Sequence, residues 1–348
     1  MGRYYHMTMI IAAIGLNSFM EDKVRKIILA GADILRFNFS YRTIEQNIEY
    51  IKSALETINN LNASVDILID FPLNKIRLGD FDIKRFAVRE NEEFIFQSAT
   101  FSPDCNQFIP VDIKNLGQKV KTHQTITIGD GEVSIYVTEI IDEQKIKARI
   151  LNNGIIFYIK SFNINSYTSD DILLKNYQDI LEKTKSIEPE YIAFSYINKE
   201  INQKIKDLII SKKIRAKKII KIEKFITNNE LRSICEENFY DMIMLDSGEM
   251  GVNMPFEKIG ILQKEILKIA NQYKKQIIIS TQILESTMNN LTPNRAEILD
   301  LTNLIIEGAS GIMLCHETAI GVRPAYSINI AKKIIAEAIK YRQSNKII

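Results

Sequence analysis

The sequence predicts an α/β protein whose strand–helix units close into a (β/α)8 barrel, the TIM barrel fold. Short apolar runs recur along the 348-residue chain, and a segment of helical period follows most of them. Without an insert of roughly 87 residues, about 261 residues remain, close to the ~250 typical of this barrel. Neither GxGxxG nor GxxxxGK[ST] follows any strand, which disfavours the alternative of an open doubly wound sheet.

Strands and helices alternate along the chain with one interruption. The strands are predicted at residues 9–14, 33–39, 65–70, 191–196, 218–223, 242–246, 276–281 and 311–315. The helices are predicted at residues 21–30, 43–59, 170–185, 199–211, 228–237, 256–274, 295–307 and 324–342. Ser18, shortly before the first helix, is predicted to be its N-cap. Eight strands and eight helices are the complement of a full barrel.

The interruption follows the third strand. Alternating strand patterns dominate from about residue 78 to residue 164, and the Gly-Asp-Gly of 129–131 is a hairpin turn signal. We therefore expect two domains. The catalytic barrel comprises 1–77 and 165–348, and a small β-barrel-like domain is inserted at 78–164.

Composition and charge exclude several classes of protein. Lys and Arg total 45 against 43 Asp and Glu, and the net charge of +2 gives no general attraction to nucleic acid or to an anionic membrane. No apolar run approaches the ~18 residues that a membrane span needs. The three separated cysteines exclude a disulfide framework and a cysteine zinc site, which fits a reducing cytoplasm. With three histidines and no HExxH, any catalytic metal is expected to be a hard cation on carboxylates.

Polar side chains gather where the predicted barrel strands end. In such barrels the active site is built at the C-terminal ends of the strands. The residues at these positions are Arg36, Asn38, Ser40, Asp70, Ser195, Lys221, Glu223, Asp246, Glu249, Thr281, Glu317 and Thr318. Acids, cations and hydroxyls collected at one rim predict a site for an anionic substrate.

The most informative pair is Lys221 and Glu223. Residues two apart on a strand face the same side, so a lysine and a carboxylate project together at the barrel mouth. Glu249 can supply a second carboxylate. Two carboxylates leave a Mg²⁺ or Mn²⁺ ion room for water and substrate oxygens, and the lysine can bind a phosphoryl group as a point charge. The mechanism implied is electrostatic positioning of an anionic substrate.

These residues lie in segments that resemble the pyruvate kinase family. The matching segments are IIAAIGLNS (10–18), ILRFNFS (34–40), KIIKIEK (218–224), IMLDSGEMGVNMP (243–255), IISTQILES (278–286), TPNRAE (292–297) and IMLCHETAIG (312–321). With the insert they cover essentially the whole chain, in the family's order. The resemblance implies phosphoryl transfer between phosphoenolpyruvate and ADP, giving pyruvate and ATP, with Mg²⁺ or Mn²⁺ required. The insert then corresponds to the family's lid domain, which closes over the nucleotide.

The resemblance also implies a role for individual residues. Lys221 resembles the lysine that steadies the transferred phosphoryl group, and Thr281 matches the threonine near the enolate carbon that receives a proton. Glu223 and Glu249 fall at the divalent-metal position, and Gly248, Glu249 and Thr281 at the substrate. Arg36 and Arg77 match arginines near the phosphoryl and nucleotide phosphates, and Lys160 resembles a lid lysine at the nucleotide.

The family's monovalent-cation site matches Asn38, Ser40, Asp70 and the carbonyl of Phe71. Lys75 stands where the family usually has a glutamate, and a lysine there resembles the members that work without potassium. An ammonium in place of the ion is physically sensible, because both are monovalent cations. We therefore expect catalysis without a potassium requirement.

Two departures from the family pattern keep other functions open. The usual Ala-Arg-Gly-Asp is Asp246-Ser247-Gly248-Glu249 here, which removes a cation and adds an acid. His316 replaces a glycine and is either a new polar contact or a packing residue. The chain ends where the barrel ends, so the C-terminal regulatory domain and its sugar-phosphate activator are not expected.

Three functions remain open from the sequence. The first is a working pyruvate kinase. The second is an enolate or keto-acid enzyme on the same barrel, such as an aldolase, a decarboxylase or a variant phosphotransferase. The third is a non-catalytic homologue that binds a metabolite or a regulatory partner. A homodimer through the barrel is the expected assembly.

Overall fold

The computed structural model describes residues 8–40, 42–73, 76–83, 85–129, 131–158, 160–164, 170–248, 250 and 255–345. Eight parallel strands within these ranges form a closed barrel, which confirms the predicted fold class. The barrel strands are β1 Met9–Ile14, β2 Ile34–Asn38, β3 Asp66–Asp70, β14 Tyr191–Ser195, β15 Lys217–Ile222, β16 Met242–Asp246, β17 Gln276–Ser280 and β18 Gly311–Leu314. The strands of the insertion are β4 Asp80–Phe81, β5 Arg85–Val88, β6 Glu93–Ser98, β7 Phe101–Ser102, β8 Ile109–Val111, β9 Thr125–Ile128, β10 Val133–Ile140, β11 Lys145–Ile150, β12 Gly154–Phe157 and β13 Phe162–Asn163.

Helices connect the strands as the periodicity predicts. In the described part of the chain they are α1 Glu21–Ala30, α2 Ile44–Asn60, α3 Leu116–Lys119, α4 Asp170–Lys183, α5 Lys199–Ser211, α6 Asn228–Glu236, α7 Ile259–Gln272, α8 Arg295–Ile306, α9 His316–Ala319 and α10 Pro324–Ser344. Short 3₁₀ turns occupy Phe256–Lys258 and Glu285–Met288. The N-cap prediction for α1 is wrong. Met20 occupies that position without a side-chain cap, and the Ser18 hydroxyl accepts a hydrogen bond from the Gly15 N–H at 2.9 Å.

The barrel interior is filled by branched and sulfur-containing side chains. Ile11, Leu68, Ile219, Met244 and Ile278 belong to one buried cluster, and each is fully buried. β3 pairs with β14 although the insertion separates them in sequence, so the ring closes across it. Because all neighbouring barrel strands run parallel, their C-terminal ends share one rim.

The chain divides into two compact units, Met1–Pro72 with Leu174–Ile348 and Leu73–Leu173. The second unit contains a six-stranded sheet of order β13-β9-β10-β11-β6-β8, in which only the β6–β8 pair is parallel among the described strands. Its core includes Phe96, Ile135 and Phe162, all buried. The predicted hairpin joins β9 to β10, and Gly129 and Gly131 there have the positive φ angles of 69° and 97° that favour glycine. None of the helices in the described ranges combines the length and the apolar composition of a membrane span.

Candidate active site

Four charged side chains form a chain of ion pairs at the C-terminal rim of the barrel. Arg36 on β2 donates from Nε to Oδ2 of Asp70, the last residue of β3, at 2.9 Å. Lys221 on β15 lies 2.9 Å from Oδ1 of Asp70 and 2.9 Å from Oε1 of Glu223. Asp70, Lys221 and Glu223 are all less than one-tenth exposed. The prediction that Lys221 and Glu223 project together is met by this contact.

The ion pairs set the charge states of this cluster. Burial alone would raise the pKa of Asp70, but Lys221 and Arg36 outweigh it and hold that pKa below its usual range. Burial alone would lower the pKa of Lys221, but Asp70 and Glu223 outweigh it and raise that pKa. The pKa of Arg36 is likewise raised, because Asp70 more than offsets the effect of burial. At neutral pH a buried lysinium and a guanidinium therefore face a shared carboxylate.

Thr281 lies at the same rim, directly after β17, and its hydroxyl is held by the loop after β16. The backbone N–H of Gly248 donates to Oγ1 of Thr281 at 2.7 Å. Oγ1 also lies 3.2 Å from Oδ1 of Asp246 and 3.2 Å from Oγ of Ser247. Register holds these loops together, because Asp246 pairs with Ser280 between β16 and β17. The loop of Asp246 to Gly248, which departs from the family pattern, is thus in direct contact with Thr281, which agrees with it.

Thr281 has a backbone conformation that is rare for its residue type. Its φ is 68°, and that of Gln282 is 53°, so two successive non-glycine residues lie in the left-handed region. For a β-branched residue such a φ is a genuine outlier, with a cost of order 1–3 kcal/mol. Strain of this kind concentrates at functional sites, where the surrounding structure maintains it.

Glu317 connects two segments at the rim through hydrogen bonds to their backbones. Its carboxylate is buried and accepts the backbone N–H of Leu284 at 2.8 Å and that of Cys315 at 2.8 Å. Burial raises the pKa of Glu317, and these N–H donors offset part of that effect. Burial also raises the pKa of Cys315 to about 12, so this thiol stays protonated. His316 lies 2.9 Å from Glu285 through Nδ1, which makes it a polar contact at the rim.

The residues predicted for a monovalent cation lie partly within the described structure. The side chain of Asn38 accepts the backbone N–H of Ser40 at 2.9 Å, which forms a local turn after β2. Phe71 follows Asp70, and its N–H donates to the carbonyl of Ala193 at 2.8 Å. Lys75 lies outside the described residues. Asp70 is engaged by Arg36 and Lys221, as given above.

Two of the predicted nucleotide residues, Arg77 and Lys160, lie in the second unit. Arg77 forms an antiparallel bridge with Ser161 through the backbone. The ammonium of Lys160 lies 2.6 Å from Oε1 of Glu132. Because Lys160 directly precedes Ser161, Arg77 and Lys160 lie on paired segments of this unit.

Mg²⁺ and Mn²⁺ prefer hard oxygen ligands, and Glu223 places one carboxylate at the rim. Its carboxylate is nearly buried and has Oε1 directed at Lys221. The second predicted ligand, Glu249, lies outside the described residues. No group of three or more metal-binding side chains occurs in the described ranges. The donor chemistry at Glu223 fits Mg²⁺ or Mn²⁺, which bind through one or two carboxylates together with substrate oxygens.

Sequence reasoning missed Tyr177 on α4. Its ring packs edge-on against Phe71 with ring centroids 4.9 Å apart, and its side chain is buried. Burial raises the pKa of Tyr177, and Glu223 and Asp70 add to the shift against the opposing effect of Lys221. The hydroxyl therefore stays protonated beside the charged cluster. An aromatic residue at helical spacing carries no signal in sequence that distinguishes this position from ordinary core.

Comparisons with known proteins agree with this geometry. Residues 5–328 match the family model described as the pyruvate kinase barrel domain. The chain is 31% identical to the pyruvate kinase of Thermococcus litoralis over 341 residues, which covers 97% of this chain and 71% of that protein. It is 28% identical to the pyruvate kinase of Thermotoga maritima, over 96% of this chain and 71% of that protein. The crystal structure of Cryptosporidium parvum pyruvate kinase matches with a TM-score of 0.86 and 26% identity, over 96% of this chain and 70% of that one. The chain belongs to the pyruvate kinase family.

Proposed function

We propose that the protein is a phosphotransferase of pyruvate kinase type, which transfers a phosphoryl group between phosphoenolpyruvate and ADP. The observation that carries this proposal is the buried Lys221 ammonium, held between Asp70 and Glu223 at the barrel rim. A positive charge fixed in a poorly hydrated site stabilises the negative charge of a transferred phosphoryl group. Membership of the pyruvate kinase family supports the same reaction.

The charged side chains act by position rather than by covalent chemistry. Asp70 holds the guanidinium of Arg36 and the ammonium of Lys221 on its two oxygens, so both cations are fixed before the substrate arrives. Their charges then oppose the negative charge of the phosphoryl group without reorganisation. Arg36, Arg77 and Lys160 are proposed to contact the nucleotide phosphates.

Glu223 and Glu249 would hold the Mg²⁺ or Mn²⁺ ion. When bound, a divalent ion at this position neutralises negative charge on the phosphoryl and enolate oxygens. Glu223 contributes the carboxylate, while Lys221 remains the neighbouring cation. Gly248 and Glu249, with Thr281, are proposed to contact the substrate.

Thr281 is proposed to deliver the proton that converts the enolate into pyruvate. Its hydroxyl lies at the rim beside the β16 loop and is positioned by the Gly248 N–H. The strained φ of Thr281 is consistent with a side chain held in place for function.

A reducing cytoplasm is the proposed compartment, because the cysteines are free thiols. A homodimer through the barrel is the proposed assembly.

A second candidate function is an enzyme that handles an enolate or keto acid without a nucleotide. Asp246 favours it, because its carboxylate lies 3.2 Å from Thr281 at the place where the substrate is expected. At ~5 Å from a substrate carboxylate and an effective dielectric constant near 20, the repulsion is about 3 kcal/mol. A keto acid has the same carboxylate but lacks the phosphate charges, so its total repulsion from Asp246 is smaller. The third alternative, a non-catalytic homologue, predicts no turnover at all.

The experiment that separates these functions follows pyruvate release from phosphoenolpyruvate with Mg²⁺, with and without ADP. ADP-dependent pyruvate and an equal amount of ATP are expected. Pyruvate or aldol cleavage products formed without a nucleotide would favour the keto-acid enzyme. No product in any mixture would favour the non-catalytic homologue.

Independence from potassium is a separate part of the proposal. Lys75 is proposed to supply the positive charge that a potassium ion provides in other members of the family. Turnover is expected to stay the same when potassium replaces a quaternary ammonium salt at equal ionic strength. The Lys75→Glu variant is expected to become dependent on potassium. A strong potassium activation of the unmodified protein would contradict this part alone.

A further inference from the structure

The hydroxyl of Thr281 lies within hydrogen-bond distance of several polar groups. Within the described residues it meets the Gly248 N–H at 2.7 Å, the Ser280 carbonyl at 2.6 Å, Oδ1 of Asp246 at 3.2 Å and Oγ of Ser247 at 3.2 Å. The hydroxyl carries one proton and two lone pairs. Because Gly248 can only donate, it occupies one lone pair of Oγ1. The remaining contacts decide where the proton of Thr281 points.

Ser247 competes with Thr281 for the same carbonyl. Its Oγ lies 2.9 Å from the Ser280 oxygen and 3.4 Å from the Thr281 oxygen, both of which can only accept. A proton donated by Ser247 to the Ser280 carbonyl makes that oxygen a poorer acceptor for Thr281. The carboxylate of Asp246 is then the other acceptor within reach of the Thr281 hydroxyl. The Ser280 carbonyl is the nearer acceptor, at 2.6 Å against 3.2 Å, whereas the carboxylate is charged and accepts more strongly at equal distance.

The backbone places Asp246 and Thr281 next to each other. Asp246 ends β16 and pairs with Ser280 of β17, so the two loops leave the barrel side by side. A Cβ atom on Gly248 would lie 3.0 Å from Oγ1 of Thr281, which is closer than an ordinary contact. Glycine at this position therefore permits the close approach that brings Asp246 and Thr281 together.

We propose that Asp246 is the proton acceptor and donor behind Thr281, and that Ser247 positions the Thr281 hydroxyl for this relay. The inference rests on the proposed function, because it concerns the enolate step of that same site. In the direction of enolisation, the C3–H bond of pyruvate breaks and its electron pair enters the enolate. The proton forms a bond to Oγ1 of Thr281 while the original hydroxyl proton passes to Oδ1 of Asp246. The reverse transfer protonates C3, and Asp246 exchanges its proton with water.

The relay explains how the acidic side chain of Asp246 is compatible with a place beside an anionic substrate. A carboxylate beside a substrate anion costs binding free energy, as the repulsion calculated above shows. As a partner of Thr281 the same carboxylate contributes to the proton transfer. General acid–base groups contribute about 10²–10⁴-fold to such steps. The gain in rate offsets the loss in affinity.

The test is the exchange of pyruvate methyl protons for deuterium in D₂O, followed by NMR with Mg²⁺ and inorganic phosphate present and no nucleotide. Asp246→Asn keeps the shape of the side chain but removes its proton affinity. Its maximal exchange rate is expected to fall about a hundredfold or more. The pyruvate KM is expected to stay level or to fall, because the variant removes a negative charge. Ser247→Ala is expected to lose about tenfold, and Ser247→Thr is expected to recover most of that loss.

Matched controls are Asp207→Asn and Ser211→Ala on α5. Both residues are polar, and their recorded contacts are within the same helix. Neither control should change the exchange rate. Far-ultraviolet circular dichroism and urea unfolding of every variant check that the site variants remain folded. Ser247→Thr, which keeps the hydroxyl group, is the folded variant with which Ser247→Ala is compared.

The outcomes separate this inference from the proposed function. Unmodified protein that exchanges methyl protons but forms no ATP from phosphoenolpyruvate and ADP would contradict the kinase and leave the relay standing. Unmodified protein that forms ATP, with Asp246→Asn exchanging at the unmodified rate, would overturn the relay alone. Absence of exchange in the unmodified protein would overturn the relay as well, since the Thr281 hydroxyl would then not serve an enolate.

Discussion

The ammonium nitrogen of Lys221 lies 2.9 Å from Oδ1 of Asp70, in an ion pair in which both side chains are buried. Arg36 holds the other oxygen of the same carboxylate, and Glu223 holds the far side of the ammonium. Two cations and two carboxylates therefore compensate one another before any ligand binds. This arrangement explains how a lysine remains charged in a buried position and stays available at the barrel rim.

Asp70→Asn should destabilise the protein strongly. The substitution keeps the volume of the side chain but leaves Arg36 and Lys221 without their shared counter-charge. Breaking a buried ion pair by removing one partner costs about 3–5 kcal/mol. Urea unfolding at pH 7 measures the change. The surface variant Asp207→Asn is the control, and a loss in Asp70→Asn no larger than in this control would contradict the assigned role.

The same carboxylate predicts how stability depends on acid pH. The pKa of Asp70 is lowered in the folded protein, so its contribution is present above its unfolded pKa of about 3.9 and is lost as the pH falls through the folded pKa. The pKa of Lys221 is raised, so its contribution is present below about 10.4 and is lost only at more alkaline pH. The unfolding free energy should therefore fall more steeply below pH ~4 in the unmodified protein than in Asp70→Asn. Parallel acid slopes would show that Asp70 does not carry this dependence.

Glu317→Gln should weaken the support of the rim. The carboxylate accepts two backbone N–H groups, whereas an amide offers one acceptor oxygen and directs an NH₂ group at the second N–H. A buried donor left without a partner costs about 1–3 kcal/mol. Urea unfolding should show a loss in that range. The variant Glu200→Gln, on the exposed side of α5, should show a change below about 0.5 kcal/mol.

The left-handed backbone at Gln282 can be tested apart from the Thr281 hydroxyl. The side chain of Gln282 is exposed, and its φ is 53°. Gln282→Gly should leave stability unchanged or raise it by up to about 1 kcal/mol, because glycine adopts this conformation without strain. Gln282→Val should lower stability by more than about 1 kcal/mol, because a β-branched residue is strained there. The reverse order of the two variants in thermal unfolding would contradict this assignment.

The barrel could be predicted from sequence because its signals are local and repeated. Apolar runs such as that of β16 and the helix of α5 have the bounds that the pattern predicts. The prediction of an N-cap at Ser18 was wrong because a serine near the start of a helix can also form a hydrogen bond within the preceding loop. Its hydroxyl accepts the Gly15 N–H, a choice that depends on the path of the loop after β1.

The candidate site could be predicted only in part. The shared face of Lys221 and Glu223 follows from the two-residue period of a strand, and the structure brings them together. The pairing of Arg36 and Lys221 on one Asp70 carboxylate depends on strands β2, β3 and β15, which are distant in sequence. The contact of Asp246 with Thr281 depends on the register of β16 and β17. Residue types indicate which groups reach the rim, whereas the register determines which of them touch.

The role of Lys221 is tested by single-turnover formation of ATP from phosphoenolpyruvate and ADP with Mg²⁺, in the unmodified protein and in Lys221→Ala. Lys217→Ala, at the exposed opposite end of β15, is the matched control, and urea unfolding confirms that each variant is folded. We predict that Lys221→Ala lowers the rate about 10²–10³-fold or more, as the loss of a preorganised charge partner does. Lys217→Ala should keep the unmodified rate. Equal rates in folded Lys221→Ala and in the unmodified protein would show that this buried ammonium does not serve the phosphoryl group.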